Sequence, residues 1–402
     1  MHVLFVTPTF PPENGWGGIG TYVHHLSLIM ANAGCETTVL CDTKDAPRDY
    51  VRRGVRICRY LSSASINPID YATDVADAIE SLHREKHIDV VEFPEFGANG
   101  VVFQRRHPAF PVVVRLHGDT ALCRQANGPR WKRFARKLIP PPGLTDIDQL
   151  ERESVYLAHL VTAPSDWQVL QCLIRKWKFR QAPIAFPNPY HLSGGEYPLR
   201  QQRSSATVVH LARLDYRKGA DLLPAILSRV WSAIPEAQFE LIGQDQGRRR
   251  TSWKEWILAN TPARCHRQLT FRGGVPYERI QETLRKHSIA FFGSVWESFS
   301  YTLVECMSEG LACVNGSVGG AQEVGIHDKS VINTPRNPEG IAHGIVRLLK
   351  DSRLRETLSQ NAPERIRQFC GDGTVARNGV SAYRNAVRSA RALNEPKLSG
   401  AY

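Results

Sequence analysis

No two cysteines in this 402-residue chain stand as a Cys-x-x-Cys pair, and their total of nine is odd, so the sequence offers no closed disulfide framework. A reducing compartment is the expectation. No run approaches the roughly 18 apolar residues that a membrane-spanning helix needs. The opening His2-Val3-Leu4-Phe5-Val6 is too short for that role and lacks the basic start of a secretion signal, so it reads as the first β-strand of a cytoplasmic protein. Low-complexity tracts are absent, as are internal repeats beyond a recurring strand-helix rhythm. Acidic residues are scarce beside basic ones, 39 against 51, for a net charge of +12. No recognised nucleic-acid motif accompanies this charge, so nucleic acid is not an expected partner.

Apolar residues at 42% and charged residues at 22% are those of an ordinary soluble protein. The length exceeds what one hydrophobic core supports, which implies two domains of roughly 190 residues. Val- and Ile-rich runs alternate with helical patterns from the start. Strands are predicted at 2–7, 37–41, 89–93, 112–116, 160–163 and 184–186, and after a pause at 207–211, 239–242, 269–271, 289–292, 312–315 and 331–332. Ile19, Val23, Leu26, Ile29 and Ala33 recur at helical spacing and stop at Gly34. Such alternation implies parallel sheets covered by helices, hence α/β architecture with two doubly wound, Rossmann-like domains. The expected division is 1–188, a linker at 189–205, 206–370, and a last helix within 371–402 that could pack back on the N-terminal domain. Ligands of such sheets bind beyond the carboxyl ends of the strands, so two facing domains would enclose a cleft.

Strand ends are therefore where chemistry is expected. Glu297 and Glu305 are separated by seven residues directly after the strand at 289–292. Glu297 falls in the strand-to-helix turn and Glu305 about a turn and a half into the helix, so both can face a ligand held at the helix N-terminus. A diphosphate flanked by hydroxyl-rich groups fits this layout, because carboxylates accept hydrogen bonds from neutral hydroxyls. A nucleotide sugar has that anatomy. Arg213 and Lys218 follow the first strand of the second half and are placed to meet phosphate oxygens, with Gly219 permitting close backbone approach. They would stabilise a leaving diphosphate together with amides near Phe299 and Ser300, with no bound metal required. His117 ends the strand at 112–116, and Glu92 and Glu95 hold the equivalent place on another, where one could orient an acceptor hydroxyl.

Competing patterns are present. Gly15-Trp16-Gly17-Gly18-Ile19-Gly20 formally satisfies G-x-G-x-x-G, with Asp42 where a ribose-binding acid belongs, which keeps a nicotinamide-dependent oxidoreductase open. The long insertion Pro8 to Asn14 argues against it, since the fingerprint's first glycine turns directly after the strand. Gly17 and Gly18 are read instead as a loop bringing amides to a donor phosphate. Asp146 and Asp148 form an Asp-x-Asp pair, but they open an amphipathic helix, where acids favour the dipole. Residues 101 to 140 hold nine Lys or Arg (Arg105, Arg106, Arg115, Arg124, Arg130, Lys132, Arg133, Arg136, Lys137) against one acid, Asp119. That cluster and Arg175-Lys176-Trp177-Lys178-Phe179-Arg180 could rest on an anionic membrane surface, hold an acidic acceptor, or simply be solvated.

The run Glu297 to Gly310, the segment Arg213 to Gly219, the glycine loop, His117 and Val318-Gly319-Gly320-Ala321-Gln322-Glu323 together resemble the family 4 retaining glycosyltransferases of GT-B fold, over nearly the whole chain. The resemblance implies transfer of a hexosyl group, with retention, from a UDP- or GDP-sugar to a hydroxyl of a saccharide or lipid-linked acceptor, with no metal or other cofactor. It further implies that Glu305 binds the ribose hydroxyls, Glu297 the donor sugar, Arg213 and Lys218 the diphosphate, and His117 the sugar beside the reacting carbon. Phe299, Ser300 and Tyr301 would line the phosphate, while Arg272 and Val275 would meet the base, mostly through the backbone of their segment. Ser298 and Ser300 stand where many relatives carry glycines, and Leu311-Ala312-Cys313 replaces Leu-Pro-Val. An epimerase or hydrolase of the same fold and a silent nucleotide-sugar binding module are the alternatives beside the oxidoreductase.

Overall fold

The computed structural model describes residues 1–12, 15–43, 46–60, 67–128, 144–191, 207–248 and 251–394. Its strands are the β-branched and aromatic runs, which fit a pleated surface buried on both faces. In the first half they are β1 (His2–Thr7), β2 (Glu36–Asp42), β3 (Arg48–Arg52), β4 (Val55–Tyr60), β5 (Val90–Pro94), β6 (Val112–Arg115), β7 (Leu160–Ala163) and β8 (Ile184–Ala185). Between and beside them lie α1 (Gly18–Asn32), α2 (Pro68–Glu85), α3 (Val101–Arg106), α4 (Thr120–Ala126), α5 (Leu144–Leu157) and α6 (Asp166–Ile174). The strand order is β3-β4-β2-β1-β5-β6-β7-β8, parallel except for β3.

The second half has β9 (Thr207–Leu211), β10 (Gln238–Ile242), β11 (Leu269–Gly273), β12 (Ile289–Phe292), β13 (Ala312–Asn315) and β14 (Ile332–Asn333). Its helices are α7 (Leu223–Ala233), α8 (Trp253–Ala259), α9 (Ile280–Leu284), α10 (Tyr301–Ser308), α11 (Ala321–Val324), α12 (Pro338–Lys350) and α13 (Ser352–Cys370). The sheet order is β11-β10-β9-β12-β13-β14, all parallel. The last helix, α14 (Asp372–Asn394), joins the first unit by packing against α1, β5, β6 and β7. The chain thus forms two compact units, the first comprising the described parts of 1–124, 139–191 and 372–402, the second chiefly the described part of 192–371. Each is a doubly wound α/β layer structure with its own core, one around Phe93, Phe103 and Val114, the other around Phe239, Trp253 and Phe291. Most of the segment expected to be a linker lies outside the described residues.

The β3–β4 hairpin is absent from the sequence reading. Its strands alternate cations with Tyr50, Val55 and Ile57, and β3 is mostly exposed at the sheet edge, so the hydrophobic signal is thin. The turn residues Arg53 and Gly54 both have positive φ, 51° and 78°, the geometry of a tight two-residue hairpin.

In each sheet the strand order reverses direction beside the first strand, at β1/β5 and at β9/β12. Loops leaving the carboxyl ends of neighbouring strands diverge there and leave a crevice, the usual ligand position in open α/β sheets. His117 leaves β6, next to β5. Lys218 and Glu297 leave β9 and β12, the switch-point pair of the second unit.

Candidate functional site

In the second unit, Gly219 brings the two switch-point loops together. It adopts φ 85°, and a Cβ there would lie 2.3 Å from the carbonyl oxygen of Gly293, at the end of β12. No other residue allows that approach without moving backbone. A bond of 2.7 Å from the Val295 amide to the Arg217 carbonyl closes the same contact. Glu297 is then fixed from the other side, where its amide donates to Val318 and its carbonyl accepts from the Gly320 amide, both at 2.8 Å. The Val318-Gly319-Gly320 segment is thereby a rail for Glu297.

The side chains meet at this corner. Lys218 Nζ donates to Glu297 Oε1 at 2.6 Å and Arg217 Nη1 to Oε2 at 3.3 Å. Both ends of the lysine pair are nearly buried, 14% and 10% exposed. Burial alone would raise the Glu297 pKa, but attraction to Lys218 and Arg217 prevails and holds it at about 2. Burial lowers that of Lys218. Glu305 behaves in the opposite way. Burial raises it to about 8, only partly offset by Lys218. Its carboxyl has no hydrogen-bond partner among the described residues, so at neutral pH it is a protonated group with both a donor and an acceptor to offer.

Arg213 does not join this corner. Its side chain is half exposed and lies 3.3 Å from Asp215. Arg217, which the sequence reading passed over, takes the inward place. Phe299 is buried, 6.4 Å from Phe369 ring to ring and 5.2 Å from Tyr301, so its ring is core and only its backbone remains for a ligand. Ser300 precedes α10 at φ 128°, a conformation suited to glycine. Arg272 pairs with Glu240, and Val275 is half-buried beyond β11.

In the first unit, Gly17 caps α1 without any side-chain cap, and space for a Cβ at Gly18 is open, leaving the first amides of a 15-residue helix uncapped by any side chain. Gly20 serves packing, since a Cβ there would lie 2.7 Å from the Thr9 carbonyl oxygen. Asp42 accepts from Tyr71 at 2.8 Å, tying down the acid on which a dinucleotide reading depends. His117 has its ring 4.9 Å from that of Tyr22, edge to face, and burial with Arg115 nearby keeps the imidazole neutral, well below the usual pKa.

The two acids expected on the acceptor side are instead consumed inside the protein, which corrects that reading. Glu92 accepts from Tyr22 at 2.9 Å and from Tyr383 of α14 at 2.8 Å. Glu95 is fully buried and accepts from the amides of His117, at 2.7 Å, and of Gly118. Burial raises their pKa values to about 7 and about 8. Their work is positional, and for Glu95 the group positioned is the His117 loop. The signals that could have flagged Tyr22 and Tyr383 are a tyrosine in α1 and another 291 residues beyond Glu92, too distant for sequence spacing to connect.

Asp119, Asp148 and Glu151 lie close enough to share an ion, with ligand atoms within 4.8 Å of one another. Each already has partners: Arg175 for Asp119, Arg152 for Asp148, and the Thr120 amide and hydroxyl for Glu151. The Asp146–Asp148 pair does not converge, as Asp146 is exposed in the first turn of α5. Of the basic clusters, Arg105 pairs with Glu153, Arg106 with Asp77 and Glu80, and Arg115 is buried against Phe186 and Asn188. Arg130, Lys132, Arg133, Arg136 and Lys137 lie outside the described residues.

The chain is similar to known proteins over nearly its whole length. Residues 199–365 match the family described as glycosyl transferases group 1, and residues 17–189 match the glycosyl transferase 4-like domain. An uncharacterized glycosyltransferase of Methanocaldococcus jannaschii is 27% identical, covering 96% of this chain and 99% of that one. Glycogen synthase of Mycobacterium tuberculosis is 24% identical over 99% of this chain and 98% of its own. Among solved structures, sucrose-phosphate synthase from Thermosynechococcus elongatus superposes with a TM-score of 0.72 at 18% identity, covering 96% and 99% of the two chains. The Anabaena protein HepE, solved with UDP and glucose, gives 0.65 at 18% identity over 94% and 98%. At such identities the likeness shows the fold, which is GT-B.

Proposed function

The chain belongs to the group 1 glycosyl transferases and is a glycosyltransferase of GT-B fold, and from that premise we propose that it transfers a hexosyl group from a UDP- or GDP-sugar to a hydroxyl of a saccharide or lipid-linked acceptor, with retention and without a metal ion. The observation that carries the reading is the Lys218–Glu297 pair, set at the switch point beside a second carboxyl, Glu305, that is neutral and unpartnered. UDP and UDP-glucose bound to HepE support a nucleotide-sugar donor.

Each group has a role in this reading. Lys218 and Arg217 face the diphosphate, whose charge grows as the sugar bond breaks, so their attraction is greater in the transition state than in the ground state. Glu297 is ionised and accepts from hydroxyls of the transferred sugar. Glu305 engages the ribose hydroxyls. The α10 N-terminus adds backbone amides, and in the first unit the neutral His117 has one donor and one acceptor nitrogen to offer a sugar. Arg213, exposed and loosely held, is free to swing onto a phosphate.

Nucleoside diphosphate release from the true donor should accelerate when acceptor is added and should persist in EDTA. A strict requirement for a divalent cation would contradict the metal-free reading, and release indifferent to every acceptor would favour a hydrolase or epimerase.

The acceptor is proposed to be met at an anionic membrane surface. No described helix is long and apolar enough to cross a bilayer, but α6 exposes Leu170, Leu173 and Ile174 by 50%, 53% and 63%. Exposed Lys176, Lys178 and Arg180 follow, whereas Arg175 and Trp177 are turned inward. Apolar insertion beside cations is the signature of a peripheral contact. The protein should sediment with anionic vesicles at low salt and be released at high salt. Sedimentation unchanged by Leu173→Ser with Ile174→Ser would remove α6 from this contact.

A further inference from the structure

The first unit holds an open groove of about 950 Å³ at the amino-terminal edge of its sheet, beside Met1 and Asp89, where β1 and β5 begin. It is therefore at the opposite strand ends from His117. Its long wall is α14, whose half-buried Val380 lies in the floor and whose Arg377, Arg384, Arg388 and Arg391 line the rim. The spacing of 7, 4 and 3 residues puts all four guanidinium groups on one stripe of the helix. None has an ion-pair partner among the described residues.

That arrangement has a cost that solvation alone does not explain. Arg384 with Arg388 and Arg388 with Arg391 are like-charged neighbours at i,i+4 and i,i+3, so the stripe repels itself. A face kept only for solubility would interleave glutamates. The acidic residue of α14 is Asp372, at the far end, and it is engaged with His191. Asp89 is the acid in the groove, and it accepts from the His2 amide at 2.6 Å.

We propose that this arginine-rimmed groove binds an extended acidic polysaccharide, a chain bearing repeated carboxylate or sulfate groups. The length decides against a compact anion, because Arg377 to Arg391 spans about 21 Å at 1.5 Å per residue, and a single nucleotide or phosphate would reach two of the four. The lining carries no aromatic side chain on which bases could stack, which disfavours single-stranded nucleic acid. A concave wall does not lie against a flat bilayer. Planar guanidinium forks pair with carboxylate and sulfate oxygens in bidentate fashion, as a row of arginines requires. The choice of a saccharide over other polyanions rests on the glycosyltransferase reading, which makes an acidic glycan a natural substrate or product to hold away from the reacting end.

The test is binding without any donor, so its failure is separate from a failure of the transfer reaction. Fluorescently labelled heparin and polygalacturonate are titrated into the full-length protein, with dextran as the neutral probe. Both acidic chains should bind and dextran should not, with affinity falling as salt rises. Arg384→Glu with Arg388→Glu should weaken binding at least tenfold, whereas Lys350→Glu with Arg353→Glu, an equal charge change in the second unit, should leave it within twofold. Arg384→Gln with Arg388→Gln, with melting temperature checked, gives the milder form if the reversal impairs folding. Equal losses from both pairs, equal binding of dextran, or tighter binding of polyphosphate or single-stranded DNA than of the acidic glycans would each overturn the proposal.

Discussion

Buried carboxylates stand near strand ends in both units, but the first unit uses its own up and the second holds two in reserve. Glu92 and Glu95 end on tyrosine hydroxyls and backbone amides, and burial leaves them with raised pKa values. Glu297 is equally buried, yet Lys218 and Arg217 keep it ionised, while Glu305, eight residues on, is left neutral with nothing to bond. The difference lies in the neighbours: a buried carboxyl becomes chemically useful when cations hold its charge or when its bonding capacity is unspent, and structural when amides and hydroxyls have already filled it.

The largest expected effect breaks the cationic side of this contrast. Lys218→Ala should lower turnover by about 100-fold or more, the scale of losing one preorganised electrostatic contact. It also leaves Glu297 with Arg217 as its one remaining cation, at a cost in stability below the roughly 3–5 kcal/mol of a fully unpaired buried charge. Lys218→Met combined with Glu297→Gln should recover most of that stability in denaturant melts without recovering turnover. Recovery of both would make the pair structural, like Glu92 and Glu95.

Glu305 gives the next effect, and the sign follows from its raised pKa. An unfolded glutamate ionises near pH 4.5 whereas the folded one stays protonated to about pH 8. The unfolded state therefore loses its proton first, and Glu305 takes stability away progressively as pH rises from 4.5 to 8. Glu305→Gln should raise the melting temperature at pH 7.5 while weakening nucleotide binding about tenfold, a trade expected of a site residue. A melting temperature that falls would mean that the carboxyl has structural partners after all. The smallest effect concerns Ser300, where glycine suits φ 128° better. Ser300→Gly should stabilise by about 1 kcal/mol, and an unchanged or lowered melting temperature would show that the turn stores no strain.

The strands at 2–7, 160–163, 207–211, 289–292 and 312–315 are legible to the residue, because buried parallel strands are short apolar runs bounded by polar loops. The β3–β4 hairpin is not, because its cations mask the alternation. At the site, strand-end position identifies the right loops but not which side chain turns inward. Arg213 and Arg217 are both cations of one loop, and only the tertiary turn closed by Gly219 against Gly293 selects Arg217 and Lys218. For Glu92 the deciding partner comes from a helix 291 residues away. Spacing rules reach across a turn or two of helix, and such contacts lie beyond them.

The central claim is that Lys218, Glu297 and Glu305 form a seat for a nucleoside diphosphate sugar. Thermal melts of the wild type and of the Lys218→Met, Glu297→Gln double variant against UDP, GDP and NAD test it most directly, since a ligand that binds the folded state raises its melting temperature. UDP or GDP should stabilise the wild type, the double variant should lose most of that shift, and NAD should have no effect. Stabilisation by NAD alone, or a UDP or GDP shift that the double variant retains in full, would contradict it.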